Sequence, residues 1–248
     1  DFAARPPAFA LRMVREPRQG LSHARNCGIA AARGEYLAII DDDERINPGF
    51  VAAYIRFFDT HPDAVAAGGR IIPEYPAGRP AWMSRYVERP VANPLDLGDR
   101  VRLFPAGRIP GGGNMALRRT AVERYGGFDP ALGRVGGRLI GGEENDLFAR
   151  LARAGERCWY VPDAVMWHII PPEKLTDDYL SRLAYNVGVS QQLRARRDGR
   201  YAGAVVREGC KWCATLVLAC TMRPCRAVRL LRMRYRIACG LFASLGRE

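Results

Sequence analysis

Short, continuous apolar runs alternate with stretches of helical periodicity along most of the chain. The apolar runs that predict strands are 11–14, 36–40, 65–72 and 115–117. The stretches that predict helices are 22–33, with Ser22 as N-cap, 48–58, 120–125 and 143–154. Between them, 73–110 is rich in Pro, Gly and Arg and predicts a long functional loop. Alternating strands and helices predict an α/β fold with a mainly parallel sheet, which binds ligands at the carboxyl ends of its strands.

The strand predicted at 36–40 ends abruptly in three carboxylates, Asp41, Asp42 and Asp43. An uninterrupted apolar run is typical of a strand that is buried on both faces. Because side chains alternate along a strand, Asp41 and Asp43 are expected to leave the same face. Such a pair favours a bound Mg²⁺ or Mn²⁺ beside the phosphates of a nucleotide. A solvated acidic turn is the alternative.

A second acidic cluster, Glu143, Glu144 and Asp146, opens the helix predicted at 143–154. Carboxylates in a first helical turn complement the helix dipole, which is a purely structural explanation. The preceding stretch 133–142 contains five glycines, which let the backbone approach a ligand closely. A carboxylate in that setting can take a proton from a hydroxyl, so both interpretations stay open.

Three further residues are candidates for ligand contacts, and each also has an ordinary structural explanation. His168 follows an apolar run and can complete a metal site or make a buried hydrogen bond. Arg25 and Asn26, early in a predicted helix, can contact phosphate or base, or can simply face solvent.

The C-terminal part of the chain is basic and differs in character from the rest. From Arg194 onward, 13 Lys and Arg stand against three Asp and Glu, which accounts for +10 of the formal net charge of +12. A helix is predicted at 180–197, and the apolar run at 212–222 is too short to span a bilayer. Residues 226–236 have the composition of a basic amphipathic helix. The tail therefore predicts attachment to an anionic membrane surface, with a helical bundle packed on the preceding domain as the alternative.

Five segments of the chain form an ordered set of motifs. They are Gly20 to Ser22 with Ala24-Arg25-Asn26 and Gly28, Gly34 to Leu37 running into Asp41 to Glu44, Gly113-Asn114-Met115, Gly126 to Asp129, and Gly142 to Leu147 with Arg150-Leu151. In order and spacing, this set resembles the family-2 glycosyltransferases of the GT-A fold, over about residues 10–200. The two strand and helix units with which that family usually begins are not recognisable. The resemblance therefore implies a GT-A domain that lacks its first strands and part of its donor site.

The resemblance implies a GT-A-like domain over 1–200, incomplete at its N-terminus, and a basic amphipathic helical tail over 201–248. It also implies an inverting glycosyltransferase, in which an acceptor hydroxyl displaces the nucleoside diphosphate of a nucleotide sugar in one step. A divalent cation, Mg²⁺ or Mn²⁺, is expected on Asp41, Asp43 and His168. The expected donor contacts are Arg25, Asn26, Asp41, Asp42, Gly113 and Asn114.

The same resemblance implies a general base in the second acidic cluster. Glu144 is the expected base, but the family more often has Asp at this position, so Glu143 and Asp146 stay open. The expected acceptor is lipid-linked or a saccharide, in the synthesis of a cell-envelope polysaccharide or glycolipid. The seven cysteines are expected to be reduced thiols, which fits a cytoplasmic protein on the inner face of the plasma membrane.

Two other functions are compatible with parts of the sequence. A metal-dependent nucleotidyltransferase would also use a carboxylate pair on Mg²⁺, but it would not need the second acidic cluster. A basic adaptor without catalysis would bind anionic lipid through the tail. Nucleic acid is not an expected partner, because residues 1–193 carry a net charge of only +2 and the tail lacks a recognition motif.

Overall fold

The computed structural model describes residues 10–136, 139 and 141–244 of the chain. Its helices are α1 (Leu21–Ala31), α2 (Phe50–Thr60), α3 (Arg85–Ala92), α4 (Arg119–Tyr125), α5 (Glu143–Arg153), α6 (Asp177–Arg197), α7 (Tyr201–Thr221) and α8 (Pro224–Leu241). Its strands are β1 (Tyr36–Ile39), β2 (Glu44–Ile46), β3 (Ala66–Glu74), β4 (Arg102–Leu103), β5 (Met115–Arg118) and β6 (Cys158–Ile169), and a 3₁₀ turn covers Pro172–Leu175. The predicted α/β class is confirmed.

The described strands form one mixed sheet, in the order β1-β5-β3-β6-β2, with β4 paired to β6. The pair β3 and β6 is parallel, whereas the other pairs between these strands are antiparallel. The expectation of a mainly parallel sheet is therefore wrong. Consecutive parallel strands each need a long crossover connection, whereas β2, β4 and β5 enter the sheet from loops and run opposite to their neighbours.

Strand β1 lies at one edge of this sheet, so it is not buried on both faces as predicted. Leu37 is buried but Ala38 is exposed. The apolar run 11–14 forms no strand, and Leu11, Met13 and Val14 are exposed. An extended segment without a neighbouring strand has no partners for its backbone groups, which explains why the apolar run alone misled the prediction.

Two apolar cores lie on opposite faces of the sheet. The first contains Phe50, Tyr54 and Phe58 of α2, and the second contains residues of α5 such as Leu147. On β5, Ala116 belongs to the first core, while its two neighbours in the chain belong to the second. Since alternate residues of a strand point to opposite faces, β5 separates the two cores. Helices α2 and α5 therefore fix the sheet from both sides.

The region 73–110, predicted as a long loop, contains α3 and β4. Ser84 caps α3 by accepting a hydrogen bond from the Val87 amide, and Asn93 ends it in the left-handed conformation. Pro90 lies inside α3. A proline normally interrupts a helix, which is why the pattern concealed this one.

Helices α6, α7 and α8 pack together, and α8 also packs against α3. The backbones of α6 and α8 meet at Gly188 and Gly240, where a Cβ on either residue would collide with the other helix. Leu230, Met233 and Ile237 of α8 are buried in this cluster. The apolar face of the basic helix predicted at 226–236 is therefore occupied by the protein itself. None of the described helices is long and apolar enough to cross a membrane.

Candidate active site

The three aspartates lie in a turn between β1 and β2. The side-chain alternation of a strand therefore does not apply to them, and the expectation that Asp41 and Asp43 share a face is wrong. Asp41 faces Arg25, whereas Asp43 faces Lys174. Asp42 is exposed between them. One acidic triplet thus contributes to two different contacts.

Arg25 is a buried centre that connects α1 to both acidic clusters. Its Nη2 donates to Asp41 Oδ1 at 2.9 Å, and its Nη1 donates to Glu143 Oε1 at 2.8 Å. Nη2 also donates to the Gly112 carbonyl at 3.1 Å. The Arg25 side chain is 6% exposed, so it is not a solvated residue on a helix face. One guanidinium thereby holds the aspartate turn and the N-terminus of α5 together.

Asp43, directly before β2, faces His168 near the end of the neighbouring strand β6. His168 Nε2 lies 3.4 Å from Asp43 Oδ2. His168 Nδ1 lies 3.0 Å from the Ala92 carbonyl oxygen and must donate to it, since a carbonyl can only accept. With Nδ1 engaged in this way, Nε2 either carries a proton and donates it to the carboxylate, or turns its lone pair toward a carboxylate oxygen. Two such acceptors side by side require a cation, either a proton or a metal ion.

Lys174, in the 3₁₀ turn after β6, places a cation at the same carboxylate. Its Nζ contacts Asp43 Oδ2, the oxygen that faces His168. Hydrogen bonds from His168 and Lys174 hold the pKa of Asp43 well below its usual range, although partial burial opposes this. Nothing in the sequence near Lys174 marked it as a site residue, because it lies 131 residues from Asp43 along the chain.

Within the described ranges, no group of three or more His, Cys, Asp and Glu side chains is arranged to hold a metal ion. The predicted ligand set is divided: Asp43 and His168 are adjacent, and Asp41 is paired with Arg25. The lysine ammonium at Asp43 demonstrates that this oxygen attracts a cation. Asp43 and His168 therefore fit part of a divalent-metal site, which would need further oxygen ligands from elsewhere.

Glu44 stabilises the aspartate turn through a hydrogen bond to its backbone. Its Oε2 accepts a hydrogen bond from the Asp41 amide at 2.8 Å. The backbone at Gly113 lies so close to the Glu44 carboxylate that a Cβ there would collide with it. Burial raises the pKa of Glu44 to about 7. Gly113, predicted at the donor, thus has a structural reason to be glycine, and Glu44 is a site residue that the sequence analysis did not single out.

The second acidic cluster opens α5, and its three carboxylates have different surroundings. Glu143 pairs with Arg25, while burial, followed by the charge of Glu144, raises the pKa of Glu143. Asp146 accepts from Arg150 Nε at 2.9 Å, which fixes its position. Oε2 of Glu144 and Oε2 of Glu143 are buried without a hydrogen-bond partner in the described part of the chain. Buried carboxylate oxygens without a donor are suited to receive one from a substrate.

A second arginine, Arg194 of α6, lies beside this acidic cluster. Gly142, with φ of +113°, precedes α5, and a Cβ there would collide with the guanidinium of Arg194 from α6. Burial lowers the pKa of Arg194, and the negative charges of Glu144 and Glu143 oppose that change. In the sequence, Arg194 is the first residue of the basic C-terminal stretch, and no pattern there indicates that α6 returns to the site.

Asn26 and Asn114, both predicted at the donor, have amide groups that are engaged within the protein. Asn26 donates to the Phe128 carbonyl at 2.7 Å and accepts from the Phe128 amide at 2.8 Å. Asn114 is fully buried and donates to the carbonyls of Arg70 and Ala164 at 2.9 and 3.0 Å. These contacts give both residues structural roles, and their contact with a donor stays a prediction.

The family model "Glycosyl transferase family 2" matches residues 7–126, which include the aspartate turn and the Gly113-Asn114 segment. This match to glycosyltransferase family 2 covers just under half of the chain. The part of the site from α5 to the 3₁₀ turn lies beyond this match.

Two curated relatives are similar over longer stretches. The glucosyl-dolichyl phosphate glucuronosyltransferase of Haloferax volcanii is 25% identical over 186 residues, which cover 72% of this chain and 56% of that protein. The succinoglycan biosynthesis protein ExoM of Rhizobium meliloti is 26% identical over 245 residues, which cover 96% of this chain and 74% of that protein. The chain therefore spans little more than half the length of the first of these relatives.

A solved structure supports the predicted GT-A fold. The mannosyltransferase PcManGT from Pyrobaculum calidifontis, solved with GDP-Man and Mn²⁺, superposes with a TM-score of 0.58 at 19% identity. The similarity covers 97% of this chain and 72% of that one. At this identity the likeness establishes the fold alone, and the GT-A class is confirmed.

Proposed function

We propose that this protein is an inverting glycosyltransferase that transfers a sugar from a nucleotide sugar to an acceptor hydroxyl. The observation that carries the proposal is the buried Arg25, which connects the aspartate turn to Glu143. On one side, Asp43 and His168 approach each other within 3.4 Å, and the Asp43 carboxylate attracts positive charge. On the other side lies Glu144, with a buried oxygen that has no donor among the described residues. An inverting displacement needs a countercharge for the leaving group and a base for the nucleophile.

In this proposal each side of the site has one task. The acceptor hydroxyl attacks the anomeric carbon, the bond to the diphosphate oxygen breaks, and Glu144 takes the hydroxyl proton. Glu143, neutralised by Arg25, keeps the N-terminus of α5 in position for Glu144. When bound at Asp43 and His168, Mg²⁺ or Mn²⁺ supplies Lewis-acid stabilisation of the charge on the diphosphate. Asp41 and the exposed Asp42 are available to the nucleotide.

A groove beside α3 supports a lipid-linked acceptor. It has a volume of about 380 Å³ and lies where α3 meets the ends of α7 and α8. Met83, Leu218 and Met222 make its walls apolar, while Arg85 and Arg226 stand at it without a carboxylate partner in the described part of the chain. Apolar walls with arginines that have no carboxylate partner among the described residues suit a lipid phosphate. The curated relative from Haloferax is named for a dolichyl phosphate substrate, which agrees with this chemistry.

The position of this groove relates it to the site. The C-terminal residue of α3, Ala92, contacts His168, and the groove lies at the other end of the same helix. Eight helical residues span about 12 Å. A saccharide attached to a lipid phosphate in the groove would therefore extend along α3 toward His168. We propose peripheral attachment to the inner face of the plasma membrane on the same basis.

The test is turnover by the protein with a panel of nucleotide sugars, Mn²⁺ and lipid-phosphate or saccharide acceptors. Release of nucleoside diphosphate that depends on Mn²⁺ and stops in EDTA is expected. Release of pyrophosphate would instead identify a nucleotidyltransferase, and no turnover with any donor would favour a non-catalytic adaptor. Arg85→Gln and Arg226→Gln should reduce use of the lipid-phosphate acceptor and leave hydrolysis of the donor unchanged.

A further inference from the structure

Lys174 occupies the place where the candidate site would bind a positive ion. Its Nζ contacts Asp43 Oδ2, and His168 Nε2 faces the same oxygen at 3.4 Å. The lysine side chain is 18% exposed, so it is held inside the site and does not extend into solvent. Its backbone is fixed by a hydrogen bond from its amide to the Pro171 carbonyl at 3.0 Å. The ammonium is therefore the cation that the acidic site contains when no metal ion is bound.

A divalent cation and this ammonium cannot share Asp43 Oδ2. Two positive groups on one carboxylate oxygen repel each other strongly in a partly buried site. A metal ion held by Asp43 and His168 must therefore displace Lys174. Because the lysine is attached to a fixed backbone, its flexible four-carbon stem can move the ammonium only a short distance. Phosphates that accompany the metal would offer the displaced ammonium a new partner.

We propose that Lys174 binds the diphosphate of the donor, and that Asp43 retains this lysine until a divalent cation displaces it. The inference rests on the proposed function and deepens it. Lys174 then has two partners in turn: it keeps the empty site neutral, and it afterwards adds a positive charge to the departing diphosphate. A lysine is suited to this exchange, because it acts as a point charge on phosphate and needs no fixed bidentate geometry.

Binding measurements without any sugar transfer test the inference. The probes are Mn²⁺ alone, followed through the electron paramagnetic resonance of free Mn²⁺, and inorganic pyrophosphate at saturating Mn²⁺, followed by calorimetry. In Lys174→Met, Mn²⁺ should bind about five- to tenfold more tightly, because the competing ammonium is gone. Pyrophosphate should bind about tenfold more weakly. Lys174→Arg should retain most of the pyrophosphate affinity, since it retains the charge.

The matched control is Lys211→Met, which removes the other lysine of the chain on α7 and should change neither affinity. Lys174→Gln provides a second neutral variant if Lys174→Met does not fold. Unchanged Mn²⁺ affinity in a folded neutral variant would overturn the displacement, and unchanged pyrophosphate affinity would overturn the phosphate contact. Sugar transfer is measured separately. If the wild-type protein transfers sugar but Lys174→Met changes neither binding affinity, the inference fails and the proposed function remains intact. The expected binding changes in a protein that transfers no sugar would support the inference alone.

Discussion

Nη1 of Arg25 lies 2.8 Å from Oε1 of Glu143, and the two side chains are 6% and 4% exposed. Such a pair is unusual inside a protein, because both charges lose their hydration. Here the same guanidinium also holds Asp41 and the Gly112 carbonyl. The pair therefore fixes the distance between the aspartate turn and the N-terminus of α5, on which any reaction between groups bound at the two clusters depends.

Replacing Arg25 by Met should destabilise the protein by about 3 kcal/mol, because Glu143 is left buried without its partner. Chemical denaturation measures the loss. Arg18→Met is the control, since Arg18 makes an exposed pair with Glu16 and should cost less than about 1 kcal/mol. Adding Glu143→Gln to Arg25→Met should recover part of the stability. Equal losses for Arg25→Met and Arg18→Met would contradict a central role for Arg25.

The two glutamates that open α5 should differ in their effect on turnover. Glu144→Gln should lower kcat by at least about a hundredfold, or roughly 3 kcal/mol of transition-state stabilisation, with little change in donor affinity. Glu143→Gln should be milder, because its amide oxygen can still accept from Arg25. Steady-state kinetics and calorimetry with the same donor separate the two effects. If an Asp146 variant were inactive while Glu144→Gln remained active, the base would be Asp146, and the assignment to Glu144 would be wrong.

Asn114 should contribute mainly to stability. Asn114→Ala leaves the carbonyls of Arg70 and Ala164 without their buried donor, at the irregularity where β3 and β6 shift register. We expect a loss of about 3 kcal/mol in the free energy of unfolding. Asn186→Ala is the control, since its side chain donates to the Arg182 carbonyl on the exposed side of α6 and should cost less than about 1 kcal/mol. A normal stability with a lost donor affinity would instead make Asn114 a donor residue.

Several elements of the fold could be predicted because each depends on local pattern. The runs at 36–40 and 115–117 became β1 and β5, and the stretch at 143–154 became α5. Helix α2 shows the limit of such patterns: Val51 and Ile55 share the helical spacing of the core residues Tyr54 and Phe58 but are exposed. Periodicity gives the existence of an amphipathic helix better than its exact orientation, because the orientation depends on the sheet beneath it.

The side-chain contacts within the site could not be predicted, because they join segments that are far apart in the sequence. The acidic clusters were visible as sequence motifs, yet their partners were not. Lys174 and Arg194 come from segments that follow the last motif, and only the chain's return through β6 and α6 brings them to the carboxylates. The orientation of the Asp41 side chain could not be predicted either, because the alternation of side chains along a strand ends where the turn begins.

Helix α7 presents an apolar face that no other part of the described chain covers. The exposed residues at helical spacing along it are Val206, Cys210, Cys213, Val217 and Cys220. The adjacent helix α8 adds arginines, and several of its apolar residues, including Leu230, Met233 and Ile237, are buried. We therefore expect the proposed membrane contact at α7 and not at α8. Removing the whole tail would not test this, because it would also remove the buried Leu230, Met233 and Ile237 from the core.

The double variant Val206→Ser and Val217→Ser should weaken binding to vesicles that contain anionic phospholipid by about tenfold, since two exposed apolar side chains no longer enter the interface. Flotation of wild type and variant at several salt concentrations measures this. Salt should weaken the binding of both proteins, because the arginines beside the face attract the lipid headgroups through screened charges. The control variant replaces Val51 and Ile55 by Ser. These two residues are exposed on α2, and their replacement should leave flotation unchanged. Equal flotation of the α7 variant, the α2 variant and wild type would remove α7 from any membrane contact.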